Sequence, residues 1–561
     1  MLSAHRATLL ALACAFGACG DDSNDTGPDA GTEADAGGPD AGQSSTLVTI
    51  ADGQLEGSID GQSRRFLGIP FAKPPVGELR WKAPVPNDPW SDVRPATEFG
   101  ARCAQSQSIQ GPASDNEDCL YLNVWTPASP PEEPLPVMVW FHGGGNENGA
   151  TSDQAPLGVG GLFYDGRPLA EHGVVVVTAS YRLGPFGFFH HPQLAQEGSP
   201  SGNQGLLDQR RALEWVQENI GAFGGDSTKV TIFGESAGSI DVCLHVAADD
   251  PALFQRAISE SGGCTTRMPT TIDVEDGVSA FVLAMDCQGA ADALACLRAK
   301  PVADLLTAPP IDGGPMEVLP GGPAYQGGAP RWSFGPVVDG TIVPDQPRTL
   351  FDQHMAADVS YILGSNTDEG TLFHIGATPV ADENEYLAAL GRRFGETLAA
   401  GIATVYPVEE FKTPDDALQR VTGDTGLVCG THDTARRAAA AGLDVWMYNF
   451  ALPIPIPALA SLGATHGAEI AFVFGSVDGP EQATVGEPIR GYWTRLAATG
   501  DPNGDGAVPW PAFSATADAR MNFNTVLTVV EDFRATQCEF WRGVYDQAFV
   551  DLPAAKRRPR P

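Results

Sequence analysis

The chain has 561 residues, of which 42% are hydrophobic, and it carries 34 Lys and Arg against 70 Asp and Glu. This apolar content can support a full packed core. The net charge of −36 at pH 7 argues against nucleic acid as a partner and against membrane contact through basic patches.

The N-terminal segment is predicted to be a targeting signal. His5 and Arg6 give a short polar start, and residues 8–17 form an apolar run that is too short to span a bilayer. Small residues then precede Cys19, which resembles a bacterial lipoprotein signal whose cysteine becomes the acylated first residue. The alternative is a cleaved secretory signal with an incidental cysteine. The first interpretation predicts attachment to the outer membrane or cell surface, and the second a secreted or periplasmic protein.

The chain is expected to contain one large folded domain with short flanking segments. Residues 1–18 form the predicted signal, and residues 19–45, rich in Asp, Gly and Ala without a large apolar side chain, form a predicted disordered tether. Residues 46–550 form the domain, and residues 551–561 form a short basic tail that we expect to be solvated.

The domain begins with predicted antiparallel strands over residues 47–65, joined by turns at Asp52-Gly53 and Asp60-Gly61. Apolar strands then alternate with helical segments such as residues 206–220. This alternation predicts an α/β fold with a large, mostly parallel sheet flanked by helices, plus a small N-terminal antiparallel sheet. Residues 309–347 are dense in Gly and Pro and are expected to form loops over the site.

Two glycine-containing motifs follow predicted strands. His142-Gly143-Gly144-Gly145 follows the apolar run 136–141, and a glycine run at the end of a buried strand exposes N–H groups that can bind an oxyanion. Gly234-Glu235-Ser236-Ala237-Gly238 lies between the strand-like run 229–233 and the helix-like run 239–248. A Gly-x-Ser-x-Gly turn in that context strains the serine backbone and exposes its hydroxyl, which predicts a nucleophile at Ser236.

A serine nucleophile needs a base and an orienting acid. Where the serine stands on a Gly-x-Ser-x-Gly turn between strand and helix, these residues follow it along the chain in the order acid, histidine. His466 lies in a late loop between Gly463 and Gly467, after the strand-like run 445–450. The acid is expected after the strand-like run 359–364, where Asp368 and Glu369 are adjacent. The residues alone leave both carboxylates open.

Several segments, in order over residues 47–549, resemble the type-B carboxylesterases, a family of α/β-hydrolases that includes cholinesterases and some fungal lipases. The resemblance implies two-step hydrolysis of small-molecule esters through an acyl-enzyme, with no metal or organic cofactor. The segments that carry it are residues 66–72, 117–124, 203–209, 233–239, 368–370 and 466–470.

The resemblance also assigns residues to the reaction. It places the acid at Glu369 rather than Asp368, and the oxyanion donors at the N–H groups of Gly144, Gly145 and Ala237. Glu235 and Ser261 are expected either beside the histidine, with Glu235 also lining the substrate pocket, or in purely structural positions.

Eight cysteines follow Cys19, and an exported protein can oxidise them. Cys243 and Cys264 match no family pair, and the sequence leaves open whether they form a disulfide or stay thiols. The pairs that the resemblance implies are Cys103–Cys119, Cys287–Cys296 and Cys429–Cys538.

Substrate preference is predicted from three positions. Ile109 stands ten residues before Cys119, where the cholinesterases have a tryptophan that binds the quaternary ammonium group. Trp332 and Phe334 match acyl-pocket aromatics of the family, unless they pack into the core. We therefore expect a general carboxylesterase for short acyl groups. The alternatives are a lipase or sterol-ester hydrolase of this fold, or a non-catalytic binding protein.

One calcium-like segment is predicted to be a plain Gly/Pro turn. Residues 501–506 resemble the start of a calcium loop, but Ala512 stands where such a loop requires a glutamate.

Overall fold

The computed structural model describes residues 46–129, 131–154, 162–198, 201–248, 252–307, 334–476, 479–514 and 516–550. These residues belong to one compact unit, Ser44–Pro561. The predicted signal with Cys19, the predicted tether, Trp332 and the basic tail lie outside the described residues.

Fourteen strands occur among the described residues, and most are apolar runs bounded by turns or helices. In chain order they are β1 (Leu47–Ile50), β2 (Gly53–Glu56), β3 (Ser58–Asp60), β4 (Ser63–Pro70), β5 (Arg94–Pro95), β6 (Tyr121–Pro127), β7 (Leu135–Phe141), β8 (Val175–Ala179), β9 (Gly225–Glu235), β10 (Arg256–Glu260), β11 (Ser360–Asn366), β12 (Val445–Phe450), β13 (Ala519–Phe523) and β14 (Thr528–Glu531).

Eleven of these strands form one sheet, in the order β14-β13-β12-β11-β10-β9-β7-β8-β6-β4-β3. Seven neighbouring strands pair in parallel, in the order β8, β7, β9, β10, β11, β12 and β13. At one edge β3, β4 and β6 are antiparallel, and at the other edge β14 is antiparallel. The remaining strands form a small sheet, β1-β2-β5. The predicted fold class is confirmed, although only β1 and β2 of the N-terminal strands are antiparallel partners in the small sheet, and β3 and β4 extend the large one.

Helices follow most of the parallel strands, as parallel connections require. Among the described residues, no helix is long and apolar enough to cross a membrane. The helices are α1 (Arg167–Ala170), α2 (Gly184–Gly187), α3 (Pro192–Gln196), α4 (Gln204–Asn219), α5 (Ala237–Ala247), α6 (Glu275–Ala284), α7 (Ala293–Arg298), α8 (Val302–Leu306), α9 (Pro347–Asp352), α10 (Glu383–Phe394), α11 (Glu396–Val405), α12 (Pro414–Gly423), α13 (Cys429–Ala441), α14 (Ile470–Val473), α15 (Glu487–Thr499) and α16 (Ala535–Val550), and a π-helical turn, Asp424–Val428, joins α12 to α13.

The sheet is buried on both faces. In β7, Val137 and Val139 pack into one core, whereas Met138 and Trp140 pack into a second core on the opposite face. Because side chains alternate along a strand, a strand covered on both faces is apolar throughout, which explains the continuous runs that predicted these strands. A third, smaller core joins α10, α11, α12 and α16.

The parallel strands bring the predicted site residues to one edge of the sheet. Gly143 follows β7, Ser236 follows β9 and Glu369 follows β11, each just beyond the carboxyl end of its strand. His466 lies in the segment that follows β12. Ligands of open α/β sheets bind at this edge, so the topology itself gathers residues that are more than 200 positions apart.

Candidate active site

Ser236 occupies a strained turn between β9 and α5. Its backbone has φ +56° and ψ −120°, a conformation that non-glycine residues avoid and that persists only where neighbouring contacts hold it. The Ser236 N–H donates to Glu260 O at 2.9 Å, and Ser236 O accepts from the Ile240 N–H at 3.0 Å. These two bonds fix the serine at the end of the strand, where its side chain is partly exposed.

The two glycines of the serine motif are required by close backbone contacts. A Cβ atom on Gly234 would lie 2.7 Å from both Gly238 O and Phe141 O, and one on Gly238 would overlap Phe141 O. Either side chain would push β7 away from the turn. The Gly-x-Ser-x-Gly spacing is therefore a packing requirement at this junction.

The glycine loop, His142 to Gly145, lies directly against the serine. A Cβ on Gly143 would lie 3.0 Å from Ser236 Cβ. Gly144 and Gly145 have φ of +110° and +67°, which only glycine adopts freely. Tyr181 Oη donates to His142 O at 2.7 Å, and burial lowers the pKa of His142 to about 4, so this imidazole adds no positive charge to the loop at neutral pH.

His466 and Glu369 form a buried pair. His466 Nδ1 lies 2.7 Å from Glu369 Oε2, and the residues are 8% and 1% exposed. The other carboxylate oxygen, Glu369 Oε1, accepts from the Asn366 N–H at 2.7 Å. Both oxygens are thus held, which leaves the acid one orientation toward the imidazole.

Asp368, the other carboxylate that the residues left open, turns away from the imidazole. Its Oδ2 accepts from the Ala464 N–H at 3.1 Å and its Oδ1 lies 3.3 Å from Arg420 Nη2. Its own N–H donates to Ala464 O at 2.9 Å. Asp368 therefore tethers the loop that carries His466, while Glu369 contacts the histidine itself.

The acid is held in place by close contact with α12. A Cβ on Gly370 would overlap Gln419 O, and one on Gly423 would lie 2.8 Å from Glu369 Cβ. The glycine after the acid in Asp368-Glu369-Gly370 is thus needed for this approach.

Four buried carboxylates form one interacting cluster, and three of them, Glu235, Glu369 and Glu469, act on the imidazole itself. The sequence analysis gave a role to only two of the four. Glu235 Oε1 lies 3.2 Å from His466 Nε2. The unanticipated members are Glu260, which accepts from Trp493 Nε1 at 2.7 Å, and Glu469, which accepts from Ser261 Oγ at 3.2 Å. Glu469 stands in the same short motif as His466, which is the one signal that pointed to it.

This cluster shifts the protonation of its members. Burial opposes the imidazolium, but the charges of Glu235 and Glu369 outweigh it and raise the pKa of His466 to about 9. Burial raises the pKa of Glu235 to about 7, against the lowering effect of His466. Burial, with repulsion from Glu235 and Glu369, raises the pKa of Glu469 to about 8. The cluster consequently carries less negative charge near neutral pH than its composition suggests.

The outer nitrogen of the imidazole has no well-formed hydrogen bond in this structure. His466 Nε2 has no hydrogen-bond partner of good geometry among the described residues, and Glu235 Oε1 is its near neighbour. Catalytic hydrogen bonds are often long in ligand-free enzymes and shorten in the substrate complex. This nitrogen, opposite Glu369, is the one available to a hydroxyl.

The predicted pocket residues have different surroundings. Ile109 is 81% exposed, but its neighbour Gln110 points to the glycine loop, because a Cβ on Gly144 would lie 2.6 Å from Gln110 Oε1. Phe334 is 9% exposed and packs edge-to-face on Phe281, with ring centroids 5.6 Å apart. Its N–H donates to Glu147 Oε1 at 3.2 Å, which ties it to the segment after the glycine loop.

The described residues contain four disulfides. Three are the implied pairs, Cys103–Cys119, Cys287–Cys296 and Cys429–Cys538. Cys243 and Cys264, which the sequence left open, form the fourth. Four disulfides indicate a protein that folds in an oxidising, extracytoplasmic environment.

Comparison with known families decides the relationship of this chain. A sequence model described as the carboxylesterase family matches residues 44–541. The chain belongs to the carboxylesterase family. As a member of that family, it is a carboxylic ester hydrolase, and the resemblance drawn from its motifs is confirmed.

This carboxylesterase is similar to proteins from distant organisms. It is 35% identical over 506 residues to para-nitrobenzyl esterase of Bacillus subtilis (strain 168), covering 87% of this chain and 96% of that protein. It is 34% identical to acetylcholinesterase of Bungarus fasciatus (86% and 83% covered) and 33% identical to cholinesterase of Mus musculus (88% and 86% covered). A solved structure of PNB esterase matches with a TM-score of 0.74 at 31% identity, covering 88% of this chain and 99% of that one.

Proposed function

We propose that this carboxylesterase hydrolyses esters with Ser236 as nucleophile, His466 as general base and Glu369 as the acid that orients the imidazole. One observation carries the proposal: Ser236 stands on a strained, partly exposed turn directly against the glycine loop. The 2.7 Å contact between His466 and Glu369 supports the other two roles.

In the proposed reaction, His466 Nε2 accepts the Ser236 proton as the oxygen attacks the ester carbonyl. Glu369 accepts the Nδ1–H, fixes the tautomer and stabilises the imidazolium. His466 then donates the proton to the departing alcohol, and water hydrolyses the acyl-enzyme by the same route. The raised pKa of His466 makes this imidazole a strong proton acceptor once it is neutral.

The oxyanion is proposed to bind the N–H groups of Gly144, Gly145 and Ala237. The positive φ of the two glycines and the contact of the preceding Gly143 with Ser236 support this assignment. Ala237 opens α5, where N–H groups are free and the helix dipole favours negative charge. Loss of one such donor typically costs about 3 kcal/mol in the barrier.

The substrate is proposed to be a neutral ester with a short acyl group. Ile109, at the position of the choline-binding tryptophan, points to solvent and offers no aromatic face to a cation. Next to it, Gln110 presents a neutral carboxamide to the glycine loop. Phe334 is proposed to limit acyl length, together with Trp332, which lies outside the described residues.

A panel of p-nitrophenyl acetate, butyrate and octanoate, with acetylcholine, tests this proposal through kcat/KM. We expect acetate and butyrate to exceed octanoate, and neutral acetate to exceed acetylcholine. A preference for octanoate would favour a lipase or sterol-ester hydrolase. Absence of turnover together with absence of fluorophosphonate labelling at Ser236 would favour a non-catalytic binding protein.

Export with lipid attachment at Cys19 is proposed for the cellular location. The sequence pattern before Cys19 supports it, and the four disulfides support an oxidising compartment. Changing Cys19 to Ser should move the protein from the membrane fraction to the soluble fraction. Retention of that variant on membranes would contradict lipid attachment.

A further inference from the structure

Asn146, the residue directly after the glycine loop, has an unusual backbone conformation. Its φ is +58°, in the left-handed region that residues other than glycine adopt uncommonly. It is only 4% exposed, and its O accepts from the Gly184 N–H at 2.7 Å. A buried polar residue in this conformation requires contacts that hold it.

The Asn146 side chain binds a buried carboxylate on α5. Asn146 Nδ2 donates to Asp241 Oδ1 at 3.2 Å, and Gln209 Nε2 of α4 donates to Asp241 Oδ2 at 2.7 Å. The remaining amide atom, Gln209 Oε1, lies 2.9 Å from His245 Nε2. Three buried side chains and the half-buried His245 thus form a continuous chain from the residue after the glycine loop to α4 and α5.

Burial of the Asp241 carboxyl group is unfavourable for stability. It is fully buried, and in the part of the chain that the structure describes it forms no ion pair. Burial raises the pKa of Asp241 to about 7, against the lowering effect of Gln209 and Asn146. An apolar side chain would avoid this desolvation, so the carboxylate calls for an explanation outside stability.

Asp241 connects the two segments that carry the proposed oxyanion donors. The glycine loop supplies the N–H groups of Gly144 and Gly145, whereas Ala237, four residues before Asp241, begins the helix that supplies the third N–H. An oxyanion site works only if all donors converge on one oxygen, and small displacements weaken it strongly.

We propose that Asn146 and Asp241 are positioning residues that hold the glycine loop in register with α5. Their hydrogen bond sets the distance between the donors on the loop and the donor at the start of the helix. This inference rests on the proposed function, in which those N–H groups bind the oxyanion. Neither side chain touches the reacting atoms.

Asn146→Gly is the sharpest test, because glycine adopts the left-handed conformation without strain while losing the tether. We expect kcat on p-nitrophenyl acetate to fall about 10-fold or more, with KM changed by less than about 3-fold, since the donors act mainly in the transition state. His354→Gly is the matched control: His354 is also left-handed, with φ +56°, but exposed, and its removal should leave kcat unchanged.

The conservative variant separates a positioning role from a need for charge. In Asp241→Asn, Oδ1 still accepts from Asn146, and Gln209 can rotate so that its Oε1 accepts from the new amide and its Nε2 donates to His245. We expect Asp241→Asn to keep most of the wild-type kcat and Asp241→Ala to lose as much as Asn146→Gly. Thermal unfolding of each variant verifies that it is folded.

A double-mutant cycle completes the test. If the two residues act as one tether, Asn146→Gly with Asp241→Ala should lose no more kcat than either single change. Wild-type kcat in folded Asn146→Gly, or losses that add fully, would overturn the pairing. Failure of the proposed function would look different, because Ser236→Ala would then keep its turnover and its oxyanion donors would have no role to lose.

Discussion

The two halves of the candidate site are held by different means. The nucleophile side, which comprises the glycine loop and the turn at Ser236, is fixed mainly by main-chain contacts between β7, β9 and α5, to which the bond between Asn146 and Asp241 adds one side-chain link. The acid side, residues 366–374 with α12 and the π-helical turn Asp424–Val428, also has a close main-chain contact at Gly370, but it depends in addition on side chains from distant segments. Arg534, for example, donates to Thr367 O across 167 positions at 3.2 Å. A short motif can therefore specify the first half but only part of the second.

The largest effect should come from the nucleophile side. Ser236→Ala removes the attacking oxygen and leaves only the oxyanion donors and substrate binding, so kcat on p-nitrophenyl acetate should fall roughly 10⁴-fold or more. Fluorophosphonate labelling should disappear as well. Turnover near the wild-type rate in purified Ser236→Ala would remove the basis for every role assigned here.

The acid side should respond less. Glu369→Gln keeps the shape of the side chain but cannot stabilise the imidazolium, so we expect kcat to fall roughly 10³-fold. Asp368→Asn is the matched control, since Asp368 binds Ala464 and Arg420 rather than His466, and it should retain activity within about 10-fold. A greater loss in Asp368→Asn than in Glu369→Gln would reverse the assignment of the acid.

The disulfides give the same comparison in stability. Cys243–Cys264 joins α5 to the segment after β10 and spans 21 positions, whereas Cys429–Cys538 joins α13 to α16 and spans 109. Loop-closure entropy makes the longer link worth about 5 kcal/mol and the shorter about 3 kcal/mol at most. Replacing both cysteines of a pair by Ala should therefore lower the free energy of unfolding more for Cys429–Cys538, which adjoins the π-helical turn of the acid side, than for Cys243–Cys264.

All four cysteines are buried, so the cavity created is similar in both double variants. Cys287–Cys296, which spans 9 positions, provides the low end of the series and should be lost with the smallest effect. Urea unfolding under oxidising conditions measures the order. Equal destabilisation by the longest and shortest links would show that native contacts, rather than chain entropy, set the contribution of these bonds.

The same difference between the two halves explains which parts of the site could be predicted from the sequence. The strand, turn and helix around Ser236 and the glycine loop were predicted to within a few residues, because the glycines that permit those contacts lie inside the motifs themselves. Glu369 and Asp368 could not be separated without the family resemblance, since their roles depend on Ala464, Arg420 and His466, all more than 50 positions away.

Other features had no local pattern at all. In the sequence, nothing distinguishes Glu260 from other residues at the end of a strand. Its burial against Trp493 depends on the packing of α15. Asn146 and Asp241 are 95 positions apart, and neither belongs to a recognisable motif. The pairing of Cys243 with Cys264 depended on the distance between α5 and the segment after β10, which only the fold provides.

His466 is where the two halves meet, since Glu369 lies at its Nδ1 and Glu235 of the nucleophile side at its Nε2. Both carboxylates stabilise the imidazolium and raise the pKa of His466 to about 9. The histidine must be neutral to accept the serine proton, so kcat/KM of the free enzyme should rise with pH toward about 9.

Removing one carboxylate separates the contributions of the two halves. Glu235→Gln takes away a negative neighbour, which destabilises the imidazolium and lowers the pKa of His466, so the rising limb of kcat/KM should move to lower pH. Glu539→Gln is the control, because Glu539 is exposed on α16 and should leave the limb in place. A limb that stays in place in Glu235→Gln would mean that the acid side alone sets the protonation of His466, and a limb that moves to higher pH would contradict the stabilising role of Glu235.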